Sequence, residues 1–335
     1  VKTVKRLFAV VLFLTVFFVL FSLCDRILCR KETEGWWNVT TKIDGFYNSP
    51  KNEYDVMFFG SSNTYCSFNP LVIWEETGVK SYVFATPEQP VWASYYYMKD
   101  AFKRQSPDVA VFDIFMCSKN DEYYDDGVNY TFCDNMPFSI DKIKLAFASA
   151  PKGERLGLLL RFVKYHSRWS ELKKEDFEYR KENMTDYSKG FYMLTSVSDK
   201  AVHTDLANIT DTAPISDKNK EYLYKIINLC KEKNVRLMLV KSPSNSTEEQ
   251  KRYYNAVQKI AEENGIEFVD YNMYYDEIKL DLTTDFFDES HLNIYGAEKF
   301  TKYFVKTTKY FVNKTRQDND WQDDYDSYTR ERDKK

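Results

Sequence analysis

Asp55-Val56-Met57-Phe58-Phe59-Gly60-Ser61-Ser62-Asn63-Thr64 is an apolar run that stops at a glycine and passes into four small polar residues. A short, continuous run of this kind suits a strand covered on both faces, as in a parallel sheet. The glycine permits a tight turn. Ser62 would then stand just past the strand's carboxyl end, where open α/β sheets bind their ligands. Further strand-like runs follow at 81–85, 109–115, 235–240 and 266–269. Helical patterns separate them: 70–76, with Asn69 as cap and Pro70 at the first position; 91–104 after Pro90; 217–232; 247–264, closed by Gly265; and 294–313, capped by Asn293. This alternation predicts an α/β fold, a flavodoxin-like doubly wound parallel sheet of five strands in an α/β/α sandwich.

Two stretches break the rhythm. Residues 118–216 are expected to form a mainly helical insertion, with helices at 140–147 and 153–169, carried on the sheet's carboxyl edge. Residues 315–335 are charged, without an evident apolar period, and are expected to be disordered. The α/β domain itself is expected over 54–314, preceded by a polar and aromatic stalk at 31–53 that contains Gly35, Gly45 and Pro50.

The amino end, residues 1–30, reads as a membrane anchor. Lys2, Lys5 and Arg6 precede an apolar stretch over 7–24 whose only polar breaks are Thr15 and Ser22. As a helix such a stretch rises about 27 Å, close to the thickness of a hydrocarbon core. The flank Leu23-Cys24-Asp25-Arg26 lacks the small residues of a signal-peptide cut site and fits a lipoprotein box poorly, so an uncleaved signal-anchor is expected. Arg26, Arg30 and Lys31 nearly balance the cations before the span, and the short tail is expected inside with the domain outside. Val1 stands where an initiating Met is expected, which fits a GTG start codon and a bacterial source.

Composition narrows the rest. A net charge of −4, with Lys and Arg interspersed among Asp and Glu, argues against nucleic acid as a partner. The six cysteines show no CxxC or Cys/His spacing suited to zinc, and no metal or organic cofactor is implied. Cys117 and Cys133 could bridge a loop outside the cytoplasm, although scattered cysteines are more often unpaired.

The segment that answers the first serine lies more than two hundred residues away: Asp288-Glu289-Ser290-His291-Leu292-Asn293, followed by Ile294-Tyr295-Gly296. A serine hydroxyl is a poor nucleophile until a base takes its proton, and an imidazole does this best when a carboxylate fixes its tautomer. Asp288 sits three residues before His291. Neither His166 nor His203, the other two histidines, has an aspartate at that spacing. Both segments follow strands, so both would meet at one sheet edge.

On these blocks the chain resembles the SGNH, or GDSL-type, hydrolase superfamily, and within it the membrane-anchored bacterial branch of teichoic-acid D-alanyl-transfer proteins and polysaccharide O-acetyltransferases. Phe59-Gly60-Ser61-Ser62 corresponds to the family's opening Gly-Asp-Ser block, with Ser in place of Asp, and Asp288 to His291 corresponds to its closing Asp-x-x-His. The resemblance implies Ser62 as nucleophile, with Ser61 as runner-up, His291 as general base, and Asp288 as its orienting partner, with Asp285 as substitute. It departs in the middle blocks. No glycine occurs between Gly78 and Gly127, so the second block's amide would come from Glu88 or Gln89. The third block's amide would come from Asn120, displaced along its loop. Lys241-Ser242-Pro243 could meet an anionic substrate or simply form a turn. Trp92 and Tyr95-Tyr96-Tyr97 could stack on sugar, though their helical spacing favours the core.

The resemblance implies a serine esterase or O-acyltransferase outside the cytoplasm on a single-pass membrane helix. Its substrate would be an acylated glycan or glycolipid of the cell surface, and envelope-biosynthesis proteins its partners. The alternative is a non-catalytic relative in cell-envelope polysaccharide assembly that has lost its oxyanion hole.

Overall fold

The computed structural model describes residues 2–33, 38–311 and 314–334, and of Asp126 the backbone only. Five strands, β1 (Val56–Phe59), β2 (Ser81–Val83), β3 (Val109–Asp113), β4 (Arg236–Lys241) and β5 (Glu267–Asp270), form one sheet in the order β2-β1-β3-β4-β5. Every pairing is parallel, with Val56 opposite both Ser81 and Val109, Val109 opposite Arg236, and Met238 opposite Glu267. This is the flavodoxin-like order that the alternation predicts. The chain reverses its direction of winding between β1 and β3, so the carboxyl ends of these two strands open the crevice where such sheets place ligands. β1 is buried along its whole length, which its unbroken apolar run foretells.

The helices take their places in chain order. α1 (Lys2–Leu28) is apolar and long enough to cross a membrane. α2 (Val39–Asn48) lies within the expected stalk, α3 (Ser62–Ser67) starts at the β1 turn, and α4 (Pro70–Thr77) follows. The Asn69 side chain accepts from the Leu71 and Val72 amides, and Gly78 closes α4 in the left-handed region. α5 (Val91–Ala101) leads to β3. The insertion holds α6 (Asp126–Asn135), α7 (Ile140–Ser149), α8 (Arg155–Leu159), α9 (Arg161–Tyr165) and α10 (Lys174–Glu178). α11 (Asp217–Lys233) packs on α5, and α12 (Glu248–Glu263) enters through a Thr247/Gln250 capping box. After the short α13 (Tyr275–Ile278), α14 (Ile294–Thr307) packs on α4, and α15 (Asn319–Arg332) packs on α4 in turn. α14 stops short of the expected end. Residues 312–313, to which that expectation extended, lie outside the described residues.

Three expectations need correction. The stalk is partly core: Val39, Ile43 and Phe46 are buried one helical face apart, and Phe46 meets Phe84 with ring centroids 4.0 Å apart. Lys42 on the same helix is buried too, its Nζ donating to Ser188 Oγ and the Phe191 carbonyl. Gly35 of that stretch lies outside the described residues. The carboxy-terminal tail is α15, whose Trp321 and Tyr328 are buried two turns apart. Its apolar stripe consists of aromatic residues among charges, so a search for aliphatic periodicity passes over it. The helix expected over 153–169 is broken into α8, α9 and a 3-10 turn, His166–Glu171. Cys117 and Cys133 are buried free thiols.

One segment without regular structure ties the site together. The Lys189 carbonyl accepts from the Val83 amide and so covers the outer edge of β2. Gly190 beside it has φ +87, and a Cβ there would lie 1.9 Å from the Val83 carbonyl oxygen, so only glycine fits. The strap then donates from Tyr192 to the Tyr65 carbonyl on α3, accepts at Leu194 from Ile294 of α14, and donates from Ser198 to Phe286.

Candidate active site

Gly60 makes the turn that presents Ser62. Its φ of +150 disfavours any side chain, and a Cβ would meet Thr64 Oγ1 at 2.1 Å. Beneath the turn, Asp113 at the end of β3 accepts from the Phe115 amide through one oxygen. Its other oxygen accepts from the Ser242 amide and hydroxyl at 2.9 and 2.5 Å. This buried carboxylate clamps the ends of β3 and β4 below the serine. A carboxylate closing an apolar strand run was the signal for it, and the sequence reading passed over it.

Ser61 caps α3 and is buried, whereas Ser62, next along, is partly exposed. Ser62 Oγ donates to His291 Nε2 across 2.9 Å, and His291 Nδ1 donates to Asp288 Oδ2 across 2.8 Å. The carboxylate can only accept, so it assigns the proton to Nδ1 and leaves Nε2 as the acceptor of the Ser62 hydroxyl. Asp288 is itself oriented, because its Oδ1 accepts from the Ser290 and His291 amides, both at 2.8 Å. Partial burial opposes its charge. The His291 ring and those two amides outweigh the burial and hold its carboxyl at about 2.

The loop that carries the histidine is fixed at both ends. Phe286 and Leu292 form an antiparallel bridge, and the Phe287 amide donates to the His291 carbonyl. Asn293 caps α14 through Tyr295 and Gly296, while its Nδ2 donates back to the Thr284 and Phe286 carbonyls. Asp285, the substitute for Asp288, is occupied elsewhere: it is buried, and one oxygen accepts from the Asp281 amide and Lys299 Nζ.

The residues expected to supply the oxyanion amides are placed differently. Glu88 is exposed, with φ +46, so it takes the left-handed conformation that glycine adopts without strain. The Gln89 amide donates to the Thr86 carbonyl at 3.3 Å, and its buried side chain bonds Thr86 and Ser94. Asn120 accepts through Oδ1 from the Ser216 amide, holding the returning end of the insertion. Glu88 lies close enough to Tyr65, one turn beyond Ser62, to add to the burial that raises that phenol's pKa.

The remaining sequence candidates are structural. Lys241 is fully buried, with Nζ donating to the Ser242 carbonyl and Ser244 Oγ, and burial lowers its pKa. Trp92 and Tyr97 are buried, donating to Ser149 Oγ and the Phe132 carbonyl. A cavity of about 480 Å³ touches Asp288, Ser198 and Lys200, and another of about 510 Å³ touches Pro87, Glu88 and Val128.

A protein-family model that carries no descriptive name matches residues 164–313, less than half of the chain, and assigns no family by itself. No curated protein matches. Among solved structures the chain is similar to a candidate acylhydrolase from Bacteroides fragilis, with 11% identity and a TM-score of 0.39, over 82% of this chain and 96% of that one. It is also similar to a gut microbial enzyme that metabolises diltiazem, with 18% identity and a TM-score of 0.28. That overlap takes in 77% of this chain and 47% of the other, so the chain spans about half of that protein's length. Likenesses this loose carry no argument about chemistry.

Proposed function

We propose that the chain is a membrane-anchored serine esterase or O-acyltransferase of the SGNH type. The observation that carries this reading is the relay from Ser62 through His291 to Asp288, two hydrogen bonds of 2.9 and 2.8 Å between residues that the sequence separates widely. Ser62 Oγ attacks the carbonyl carbon of an acyl ester while Nε2 takes its proton. The tetrahedral intermediate collapses, the proton passes from Nε2 to the leaving alkoxide, and the acyl group stays on Ser62. A second hydroxyl then gives its proton to Nε2, attacks the acyl-enzyme and restores the serine. Water as that acceptor makes an esterase, and a sugar or polyol makes a transferase. The Ser62 amide, which as one of the first of α3 lacks a partner within the helix, and the amide of Glu88 in its turn are the donors suited to hold the oxyanion.

α1 supports anchoring by its length and composition, with the domain expected outside the cytoplasm and acylated surface glycans or glycolipids as substrate. The test is labelling of the full chain with a fluorophosphonate. Labelling should vanish in Ser62→Ala and persist in Ser61→Ala. The engagement of Gln89 and Asn120 in other hydrogen bonds favours a second reading, a non-catalytic envelope-assembly protein. Folded wild type that refuses the probe would leave that reading standing.

A further inference from the structure

Large apolar side chains stand in solvent along one stretch of the insertion. Phe138, Ile140 and Trp169 are 68%, 71% and 72% exposed, and Phe147, Leu156 and Phe177 are 52%, 55% and 49% exposed. A soluble surface rarely gathers so many. On α7 they follow the helical period: Ile140 and Phe147 share the outer face with Lys144, while Leu145 and Ala146 face the core. The Arg155 guanidinium lies 4.5 Å over the Phe147 ring. Residues 138–177 hold nine Lys and Arg against five Asp and Glu, in a chain whose net charge is −4.

This stretch is fastened to the end of α1. Phe162 packs on Phe21, ring centroids 5.4 Å apart, Arg161 pairs with Asp25, and Arg168 donates to the Leu28 and Cys29 carbonyls. Phe21 lies three residues before the end of the apolar run at Cys24, about 4–5 Å down a helix. Phe162 is therefore carried below the boundary of the hydrocarbon layer that α1 would span. Beside it a cavity of about 460 Å³ has an apolar wall of Phe18, Phe21, Phe138 and Leu160 and a charged lining that is basic on balance, six Lys and Arg, Arg26 and Arg30 among them, against four Asp and Glu.

We propose that this face of the insertion is a membrane seat, pressed into the headgroup and upper acyl layer of an anionic bilayer around the exit of α1, so that the Ser62 site is held at a fixed height. The proposal rests on the reading of α1 as an anchor. The depth, the apolar face and the basic surplus are those of interfacial elements, which bury one face about 5–10 Å deep. The basic residues of that lining meet lipid phosphates while the apolar wall meets the first methylenes.

The experiment uses the full chain in vesicles of phosphatidylcholine and phosphatidylglycerol that contain lipid spin-labelled near the top of the acyl chain. Tryptophan quenching is read for the wild type and for Trp169→Phe, which should remove on the order of half of the lipid-dependent quenching. Phe147→Ser with Leu156→Ser, both exposed, should lower the quenching of Trp169 without loss of fold. An alkaline carbonate wash of the same vesicles reports the anchor separately. Protein that resists the wash while Trp169 escapes quenching overturns the seat and leaves the anchor. Protein that washes off yet shows quenched Trp169 overturns the anchor and keeps the seat, and failure of both readings ends both.

Discussion

The loops that carry Ser62 and His291 and the segments that carry Glu88 and Asn120 are made in opposite ways. In the former, Ser62, His291 and Asp288 are side chains whose hydrogen bonds form a single directed chain, and both carboxylate oxygens of Asp288 are in use. In the latter, Gln89 and Asn120 spend their polar groups on the Thr86 and Ser216 backbones, and Glu88 sits at a turn apex with φ +46. In the proposed chemistry, activation of the nucleophile and stabilisation of the oxyanion are separable tasks. The first needs particular side chains at particular spacings. The second needs only an amide pointing the right way, and any residue supplies one.

The largest effect should come from removing the proposed nucleophile. Ser62→Ala should lower ester hydrolysis by about 10⁴-fold or more, and His291→Ala should do nearly the same because the two act as a unit. Ser61→Ala should cost less than about threefold, since its hydroxyl is buried and makes no capping hydrogen bond. Initial rates on an activated acetyl ester measure all three. Equal losses at Ser61 and Ser62 would mean that the turn is structural.

Asp288 comes next. Asp288→Asn should lower the rate by about 10³-fold, because the amide favours the wrong tautomer of His291. The pH dependence follows from its depressed pKa. The folded value is about 2, against about 3.9 for an unfolded aspartate. A depressed carboxyl contributes stability that is fully present above the unfolded value and disappears as pH falls through the folded one. The gap in melting temperature between wild type and Asp288→Asn should therefore be constant near neutrality and narrow from about pH 4 towards pH 2. A gap that already narrows above about pH 5 would show that Asp288 is not held as described.

What the sequence made legible divides along the same line. The parallel sheet was readable because strands buried on both faces need unbroken apolar runs, and 56–59 is such a run. The triad was readable because its spacing is local chemistry, a carboxylate three residues before an imidazole. The strap from Lys189 to Ser198 was not, since its worth lies in backbone hydrogen bonds to β2, α3 and α14 that leave no residue pattern. α2 and α15 were missed for another reason. Their buried stripes, Val39/Ile43/Phe46 and Trp321/Tyr328, are sparse and set among charges, and they become apolar faces only when the core to cover them is present. Asp113 gave a signal that was left unread.

The smallest effects test the segments that carry Glu88 and Asn120. Asn120→Ala should change kcat by less than about twofold, because the residue serves the insertion's return, whereas loss of a true oxyanion donor costs about 10²–10³. Glu88→Gln should raise kcat by about two- to threefold with KM little changed, since an exposed carboxylate near a developing oxyanion repels it only weakly through water. Glu88→Gly keeps the same amide and relieves the left-handed strain. It should raise the melting temperature by a few degrees, about 1 kcal/mol, and match the gain in kcat. A tenfold loss in Glu88→Gln would mean that the carboxylate itself bonds the substrate. Equal gains in Gln and Gly, by contrast, assign the residue's whole contribution to its backbone.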